Sequence, residues 1–416
     1  MKVAIIGGGA SGMTAAIVAA RGGYEVTIFE YKDRVGKKLL ATGNGRCNLS
    51  NKTISDNPQD VYLTNEKEFV KSIFNKFSFE DTMEFFSKLG LMFKFRGDLV
   101  YPNSDQASSV LDALRYELRD LGVKVLCNHK VEEIRKSKGG FLVFSENVES
   151  LSAEKEDEFY DKVILTTGSK AQPALCSDGF GYRLAKDLGH KITSVTPGLV
   201  SFVCEGKFFK ELAGVRVPAR LSLCEISSSG ESVIYSESGE LQLTNYGVSG
   251  IAAMNLSNRM NLIHDKAFIN IDLLEEMNHE DVKEMLQKRI EQFGYREAGE
   301  LLNGVFPKKL ANVLLKLSDI PLDGRVEKIT EKQREHLLSN IKDWKVKIIE
   351  TNKFDSAQIC LGGVRIDEIK DNMESRIVPG LFFAGEILDL HGDCGGFNLQ
   401  LAWTTGAIAG KLGEEA

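Results

Sequence analysis

The chain contains 416 residues, 43% hydrophobic and 27% charged, which is the balance of an ordinary globular protein long enough for two or three domains. Its net charge of −7 argues against a phosphate-rich partner such as a nucleic acid or an anionic membrane surface. No apolar run reaches the roughly 18 residues that a membrane-spanning helix needs. We therefore expect a cytoplasmic protein with a small-molecule substrate and neither a nucleic-acid nor a membrane partner.

The cysteines predict neither a disulfide framework nor a metal site. There are seven of them, and no two are spaced as a CxxC pair. Zinc knuckles and thioredoxin-type redox sites both use such pairs. We expect reduced thiols and no bound metal; the residues are Cys47, Cys127, Cys176, Cys204, Cys224, Cys360 and Cys394.

The N-terminus predicts a strand, a glycine-rich turn and a helix. The β-branched run at 2–6 is typical of a buried parallel strand, and the small apolar residues at 13–21 predict a helix. Between them stands a G-x-G-x-x-G motif. Its first glycine permits the tight turn, its second lets backbone approach a pyrophosphate, and its third lets the helix pack close to the strand. The predicted contact residues are Gly7, Gly9, Ala10, Ser11 and Gly12.

A carboxylate ends the second predicted strand, at 25–30. Glu30 is placed to accept hydrogen bonds from the ribose hydroxyls of an adenosine, and its charge would repel a 2′-phosphate. The N-terminus of the preceding helix offers unpaired N–H groups to phosphate. The pattern predicts a dinucleotide site, but it does not separate FAD from NAD.

The segment 33–51 favours FAD. It is rich in glycine and asparagine without a helical or strand period, and long irregular segments inside compact domains are usually functional. We expect its cations near the pyrophosphate, its glycines where backbone passes a flat ring, and its asparagines at the ring's carbonyl and N–H groups. With the neighbouring tyrosine, the predicted contact residues are Tyr31, Arg34, Lys37, Lys38, Gly43, Asn44, Gly45, Arg46, Cys47 and Asn48.

Later strand ends add to the same predicted site. Strands are predicted at 122–128 and 131–134, and there the backbone of Val131 is expected to meet the adenine edge. A buried strand at 161–168 ends in a small-residue turn. Near the C-terminus, 378–389 combines a turn and an apolar strand with an acidic residue whose carboxylate we expect to reach sugar or ribityl hydroxyls. The predicted contacts at these two strand ends are Thr167, Gly168, Gly385 and Glu386.

Between these segments the pattern of the chain changes. From Val195 onward β-branched residues alternate or cluster with turns between them, which predicts antiparallel strands. Capping-box pairs, Asn278 with Asp281 and Thr330 with Gln333, begin two predicted helices, and Pro307 opens another. No second G-x-G-x-x-G occurs here, so a resident NAD(P)H domain is not expected. Any nicotinamide donor would visit the flavin transiently.

We therefore predict an α/β fold, a Rossmann-type FAD-binding domain with an inserted β-barrel-like domain that carries a small helical subdomain. The FAD-binding domain comprises 1–192 and 354–416. The inserted β domain comprises 193–275 and 344–353, and the helical subdomain 276–343. We expect the insertion to cover the flavin and shape the substrate site.

A second glycine turn stands near the C-terminal end, before a predicted small-residue helix at 397–411. Together with the stretches GKKLLATGNGRCNLSN, GELQLTNYGVSGIA and VPGLFFAGEILDLHGDCGGFNLQLAWTTG, it resembles the BaiN-like, or aminoacetone oxidase-type, FAD-binding family within the glutathione-reductase-like flavoproteins. The resemblance extends from residue 3 to residue 410. It implies that both ends of the chain close on one non-covalent FAD. The N-terminal turn would bind the pyrophosphate, and the isoalloxazine would meet Gly395, Gly396, Phe397, Asn398 and Leu399.

The resemblance also implies an activity. It predicts an FAD-dependent oxidoreductase that moves hydride between flavin N5 and a small organic substrate. NAD(P)H-linked reduction of conjugated C=C bonds in steroid- or bile-acid-like 3-oxo compounds is preferred, and an aminoacetone-type amine oxidase is the alternative. A non-catalytic flavin-binding redox sensor is a further alternative, whereas the acidic charge argues against an FAD-dependent RNA-modifying enzyme.

The sequence does not identify the catalytic proton donor. Cys47, Tyr246, His391 and Cys394 lie near the flavin motifs. We expect a packing role for both cysteines and a surface loop position for His391, although its ordinary pKa suits proton transfer. Tyr246 is a candidate proton donor.

Overall fold

The computed structural model describes residues 1–149, 155–175, 178–228 and 230–413. The chain divides into two compact units. The first comprises Met1–Pro197 and Phe354–Ala416, and the second comprises Gly198–Lys353. The second unit therefore begins a few residues after the predicted start of the insertion and ends at the predicted residue.

The strands, in chain order, are β1 Lys2–Ile6, β2 Glu25–Phe29, β3 Ser50–Asn51, β4 Tyr62–Leu63, β5 Phe93–Arg96, β6 Leu99–Pro102, β7 Lys124–Leu126, β8 His129–Ser137, β9 Gly140–Asn147, β10 Lys155–Tyr160, β11 Lys162–Leu165, β12 Thr196–Gly198, β13 Phe202–Cys204, β14 Arg216–Ser227, β15 Gly230–Leu243, β16 Gly247–Ser249, β17 Lys266–Asp272, β18 Trp344–Thr351, β19 Ile359–Leu361, β20 Leu381–Phe383 and β21 His391–Gly392.

The helices are α1 Ala10–Arg21, α2 Lys37–Ala41, α3 Pro58–Val61, α4 Lys67–Lys76, α5 Phe79–Lys88, α6 Ala107–Asp120, α7 Phe180–Asp187, α8 Phe209–Leu212, α9 Ile251–Ser257, α10 His279–Phe293, α11 Lys308–Leu317, α12 Glu331–Lys342 and α13 Phe397–Gly410. In the part of the chain that the structure describes, no helix is both long enough and apolar enough to cross a membrane.

A parallel sheet forms the centre of the first unit. Its strand order is β20-β11-β1-β2-β7, and each neighbouring pair is parallel. Residues Val3–Ile6 of β1 are almost fully buried, because a central strand of a parallel sheet is covered on both faces. The carboxyl ends of parallel strands meet at one edge of the sheet, where α/β folds bind their ligands. The predicted Rossmann-type fold is confirmed.

Three smaller antiparallel sheets also lie in this unit. One is β10-β9-β8, another is β3-β6-β5, and the third pairs β21 with β4. The β3-β6 pairing joins Ser50 to Val100, so the end of the glycine- and asparagine-rich segment is held by β6. Likewise, the β21-β4 pairing joins His391 to Leu63 just before the second glycine turn.

The second unit contains a closed antiparallel barrel with the strand order β13-β16-β15-β14-β17-β18. Its helices α10 and α12 begin at the predicted capping boxes. The side chain of Asn278 accepts from the N–H of Asp281, and that of Thr330 accepts from the N–H of Gln333. The apolar faces of α10, α11 and α12 join the same hydrophobic core as the inward-facing barrel residues. The predicted inserted β-barrel-like domain with helices is therefore confirmed as a fold class.

One expectation about the segment 33–51 was wrong. Residues Lys37–Ala41 form the short helix α2, which we expected to be irregular. The helix starts after Gly36, whose φ of 74° turns the chain and whose N–H donates to the carbonyl of Gly8 over 2.9 Å. Leu39 is only 3% exposed. Burial of this one side chain and the bond to the first glycine turn order a helix too short to be seen as a sequence period.

The six cysteines in the described part of the chain are free thiols, as predicted. Cys176 lies outside the described residues. Burial raises the pKa of the Cys204 thiol to about 12, so this group is protonated at neutral pH. No group of three or more acidic, histidine or cysteine side chains suitable for a metal ion occurs among the described residues.

A buried serine–histidine–glutamate cluster joins two parts of the first unit. His190 Nδ1 lies 3.0 Å from a carboxylate oxygen of Glu368, and its Nε2 lies 2.8 Å from the hydroxyl of Ser375. The Ser375 oxygen also accepts from the N–H groups of Ile377 and Val378. Because His190 is 3% exposed and Ser375 1% exposed, no substrate can reach the pair. We infer that the cluster stabilises the fold.

This cluster predicts acid sensitivity of the first unit. Burial lowers the pKa of His190 below 6.5, although Glu368 opposes the shift. The unfolded chain therefore binds the proton more tightly, so stability is full above about pH 6.5 and falls as the pH drops below it. The free energy of unfolding in urea, followed by Trp403 fluorescence, should decrease between about pH 7.5 and about pH 5.5. The decrease should be smaller in His190→Gln but unchanged in the surface control His336→Gln. An equal decrease in both variants would contradict the assignment.

Candidate FAD site

The β1–α1 turn is shaped by close backbone contacts. A Cβ on Gly12 would overlap the carbonyl oxygen of Gly7 and lie 2.7 Å from the hydroxyl of Thr166. Around Gly9, in contrast, no atom of the described residues lies within 4 Å of such a Cβ. Gly12 therefore packs against the backbone of Gly7, and Gly9 leaves open space beside the N-terminus of α1. No side chain caps that N-terminus, and no acidic residue stands in its first turn.

The carboxylate of Glu30 forms a hydrogen bond to the same turn. One carboxylate oxygen accepts from the N–H of Gly8 and the other from the N–H of Lys32, each over 2.8 Å. Burial raises the pKa of Glu30, and these two bonds partly oppose the shift. The backbone of Glu30 accepts from the N–H of His129, at the start of β8. This bond brings Val131 of β8 to the neighbourhood of the predicted ribose contact.

The end of β11 packs against the first turn. The hydroxyl of Thr166 donates to the carbonyl of Gly7 over 2.7 Å, and a Cβ on Gly7 would lie 2.9 Å from the Cα of Thr167. Gly168 has a φ of 70° and open space around it. Beyond it, Tyr31 packs edge-on against Phe180, with ring centroids 6.5 Å apart. Thr167 and Gly168 thus join the group predicted to surround the adenosine diphosphate.

Glu386 connects three segments of the chain. One carboxylate oxygen lies 2.6 Å from the ammonium of Lys38, and the other accepts from the hydroxyl of Ser169 and the N–H of Cys360. Next to it, Gly385 has a φ of 78°, and a Cβ there would lie 2.9 Å from the Cβ of Ser11. The last predicted strand end is therefore placed directly beside the first glycine turn.

The residues after α2 form a series of tight turns. Gly43, Asn44, Gly45 and Cys47 all have φ between 55° and 80°. Residues 43–46 are exposed, whereas Cys47 is fully buried. The side-chain oxygen of Asn48 is buried without a hydrogen-bond partner among the described residues. The chain thus presents an exposed backbone surface with a free acceptor next to it. Lys37 forms an ion pair with Asp33 instead, and Arg34 lies exposed.

The second glycine turn lies against this surface. A Cβ on Gly396 would lie 2.6 Å from the carbonyl oxygen of Ser50 and 3.1 Å from the side-chain oxygen of Asn48. The amide of Asn51 donates to the carbonyl of Gly395 over 3.0 Å. Asn398 uses its side chain within the turn, accepting from and donating to the backbone of Gly392. Phe397 and Leu399 are half-buried at the start of α13, whose N-terminus has no side-chain cap.

Helix packing connects the two glycine turns. Near its middle, α13 crosses α1, where a Cβ on Gly406 would lie 2.5 Å from the carbonyl oxygen of Ser11. At a rise of 1.5 Å per residue, Gly406 and Phe397 are about 14 Å apart along the helix. The packing of α13 on α1 therefore connects the first and second turns within the first unit. That both turns bind one FAD stays a prediction.

The candidates for proton or redox chemistry occupy different environments. Burial raises the pKa of the Cys47 thiol to about 12, which suits packing rather than thiolate chemistry. The expected surface position of His391 was wrong. This side chain is 4% exposed, and its Nε2 accepts from the N–H of Gly362 and lies 3.0 Å from Asp389. The β21-β4 pairing draws His391 inward. Cys394 is half-buried in the second turn, and Tyr246, in the second unit, accepts from the amide of Asn352.

The residues fit FAD on three observations. Open space at Gly9 and the uncapped N-terminus of α1 suit a diphosphate. The uncapped N-terminus of α13 suits an electron-rich ring edge. Finally, the unpartnered oxygen of Asn48 is a buried acceptor that a ring N–H would satisfy, and such orphaned atoms are rare in folded proteins.

Two polar residues at the site were not predicted. Ser169 hydrogen-bonds Glu386, and Asn51 hydrogen-bonds the second glycine turn. Ser169 directly follows the predicted strand at 161–168, and Asn51 is the last residue of the segment 33–51, so position in the sequence was the available signal. Their partners lie more than 200 residues away in the chain, and no local pattern identifies them.

Comparison with known proteins agrees with this geometry. The family model described as the HI0933-like protein Rossmann domain matches residues 1–412. A 3-dehydro-bile acid delta(4,6)-reductase from Clostridium scindens is 40% identical, with 100% of this chain and 99% of that protein covered. A ribosomal RNA dihydrouridine synthase from Escherichia coli is 29% identical, with 96% and 95% covered.

Among solved structures, the 3-ketosteroid-delta4-(5alpha)-dehydrogenase from Rhodococcus jostii RHA1, in complex with 4-androstene-3,17-dione, shares the fold. The TM-score is 0.54 at 16% identity, with 99% of this chain and 96% of that chain covered. Match to the family model over nearly the whole chain, together with the helix packing that connects the two glycine turns, identifies this protein as a member of the HI0933-like Rossmann family and an FAD-dependent oxidoreductase.

Proposed function

We propose that this protein reduces a carbon–carbon double bond conjugated to a ketone in a steroid-like 3-oxo compound. The observation that carries the proposal is the 40% identity, over the whole length of both chains, to a 3-dehydro-bile acid delta(4,6)-reductase. The same observation supports the finer placement among the BaiN-like proteins.

In this proposal the diphosphate of FAD lies at the N-terminus of α1. Gly9 gives the phosphates access to backbone N–H groups, which have no partner within the helix. Glu30 accepts the ribose hydroxyls with the lone pairs that its bonds to Gly8 and Lys32 leave free. Lys38 and Glu386 form an ion pair at the middle of the site. There Glu386 is available to a ribityl hydroxyl, and Lys38 adds positive charge for the diphosphate.

In the same proposal, the isoalloxazine ring of FAD lies beside the second glycine turn. FAD, when bound, supplies the hydride-carrying N5 atom. The N–H groups at the start of α13 stabilise negative charge at the adjoining ring edge, and Asn48 accepts a ring N–H. The exposed backbone at residues 43–45 is available to the flat ring. Gly396 lets the second turn pack closely against Ser50 beside it.

We propose NADH or NADPH as a transient electron donor. The chain carries one G-x-G-x-x-G motif, which the FAD site uses. A nicotinamide donor would therefore have to reach the FAD site transiently and supply hydride there without a resident site of its own.

The test is an anaerobic substrate screen of the FAD-loaded protein. NADH or NADPH should bleach the flavin absorbance. A 3-oxo steroid with a conjugated double bond should then restore it and appear as a product two hydrogens heavier by mass spectrometry. The matched control is the same steroid with the double bond already saturated, which should leave the flavin reduced. A flavin that no conjugated ketone reoxidises would overturn the proposal.

Ribosomal RNA is a second candidate substrate, because a dihydrouridine synthase is 29% identical over nearly the whole chain. The chemistry is related, since dihydrouridine is uridine with the double bond beside its C4 carbonyl saturated. The net charge of −7 favours the small-molecule substrate. Unmodified ribosomal RNA should therefore enter the screen as its own arm. If RNA reoxidised the flavin and the steroid did not, the substrate would be uridine in RNA rather than a steroid.

An amine oxidase is the remaining alternative. Reduction of the flavin by an amine, followed by reoxidation with oxygen alone, would indicate that activity.

A further inference from the structure

A tyrosine that no sequence motif indicates stands beside the ring end of the site. Tyr101 lies on β6, next to Val100, which pairs with Ser50 of β3. Its ring approaches the exposed turn after α2, and a Cβ on Gly43 would lie 3.5 Å from its Cε1 atom. Tyr101 therefore borders the turn that we propose to face the flat ring.

The second glycine turn also lies close to Tyr101 and to the turn after α2. Ser50 and Asn51, which form β3, contact Gly396 and Gly395 respectively. Val100, the neighbour of Tyr101 on β6, pairs with Ser50 of β3, so Tyr101 lies next to the strand that contacts this turn. The phenol thus stands near both turns that the proposed ring site uses.

The hydroxyl of Tyr101 is available. The residue is half-buried, and its hydroxyl makes no hydrogen bond to any group in the described ranges of the chain. The Arg96 guanidinium lies 5.1 Å from the centre of its ring. An available phenol with a cation over its ring is suited to release a proton and regain it from solvent.

Burial favours the protonated form of Tyr101 at neutral pH. Burial raises the pKa of Tyr101, and Cys394 and Asp105 raise it further. Arg96 and Arg46 lower it, so both would stabilise the phenolate left after proton transfer. Asp105 is itself paired with Lys94 and Arg96, which reduces its effect on the phenol.

Tyr62 and Cys47, which also lie at this end of the site, are held in the protein interior. Tyr62 is 1% exposed and donates its hydroxyl to the carbonyl of Phe397. Cys47 is fully buried. Neither group can meet a substrate without local unfolding.

We propose that Tyr101 is the proton donor in the reduction of the conjugated ketone, an inference that rests on the proposed function. Hydride from the reduced cofactor forms a C–H bond at the β carbon, and the π electrons move to the carbonyl to give an enolate. The enolate α carbon then takes the Tyr101 proton. The substrate is reduced, the cofactor is oxidised, and the phenolate regains its proton from water.

The first experiment compares Tyr101→Phe with wild type and with Tyr116→Phe, a control at an exposed phenol on α6. Each protein, loaded with FAD and photoreduced, is mixed rapidly with a conjugated 3-oxo steroid. Reoxidation should slow by about 100-fold or more in Tyr101→Phe and stay unchanged in Tyr116→Phe, because a general acid contributes about that much. The Kd of the oxidised protein for the steroid, read from the shift in flavin absorbance, should change by less than about threefold, since a proton donor acts on the reaction rather than on binding.

The second experiment tests contact without turnover. In protein labelled with ¹³C at the tyrosine Cζ, the resonance that disappears in Tyr101→Phe belongs to Tyr101. It should shift on addition of the saturated 3-oxo product, while the Tyr116 resonance should not. An unmoved Tyr101 resonance, or wild-type reoxidation by Tyr101→Phe, would overturn this inference and leave the proposed function standing. Failure of wild type to react with any conjugated ketone would instead overturn the proposed function.

Discussion

Replacing Gly9 by alanine should release FAD without unfolding the apoprotein, whereas the same change at Gly12 should destabilise the apoprotein itself. The reason is the space around each residue. A Cβ on Gly9 would meet no atom within 4 Å in the part of the chain that the structure describes, so it would enter the volume that we assign to the diphosphate. A Cβ on Gly12 would overlap the carbonyl oxygen of Gly7.

At Gly12, alanine has two opposing effects on the free energy of unfolding, and their sizes decide whether the change stabilises or destabilises the protein. Alanine improves the helix propensity of a glycine by about 1 kcal/mol. Overpacking against a fixed backbone atom costs about 1–3 kcal/mol or more, so the net effect should be destabilising.

Urea unfolding of both apoproteins would measure the effect on stability, and titration with FAD would measure the effect on cofactor binding. We expect Gly9→Ala to unfold within about 1 kcal/mol of wild type, the scale of a helix N-cap change. It should bind FAD at least about tenfold more weakly, a loss of about 1.4 kcal/mol. Normal FAD affinity in Gly9→Ala would contradict the assigned diphosphate position.

Gly406→Ala should impair FAD binding from the far end of the chain. A Cβ there would lie 2.5 Å from the carbonyl oxygen and 3.1 Å from the Cα of Ser11. Both are backbone atoms, so α13 must move away from α1. Because α13 begins at the second glycine turn, the displacement would also separate the two ends of the site. We expect a loss of about 1–3 kcal/mol in stability, together with lower FAD occupancy after purification.

The matched control for this prediction is Gly239→Ala in β15. There the nearest atom to an added Cβ is the Cβ of Ala252 at 3.5 Å, an ordinary contact. Glycine in a strand interior is weakly destabilising, so this change should be neutral or slightly stabilising. If Gly406→Ala kept both wild-type stability and full flavin absorbance, the packing of α13 on α1 would not control the site.

The sequence alone determined the features whose causes lie within a few residues. The run KVAII followed by three glycines predicts strand, turn and helix, because burial, φ and helix packing there depend on adjacent residues. The capping boxes at Asn278 and Thr330 were predicted for the same reason, since each partner is three residues away. The change from a parallel to an antiparallel pattern after residue 195 likewise predicted the fold class.

Tertiary structure decided the contacts between distant segments. His391 was expected in a surface loop, but pairing with β4 and the N–H of Gly362 bury it. The environment of Glu386 depends on Lys38 and Ser169, and that of Tyr101 depends on the turn at Gly43. These contacts follow from how helices and sheets pack, where a shift of one ångström changes the partner. The sequence specifies which donors, acceptors and charges a residue carries. Tertiary packing determines which of these groups it contacts.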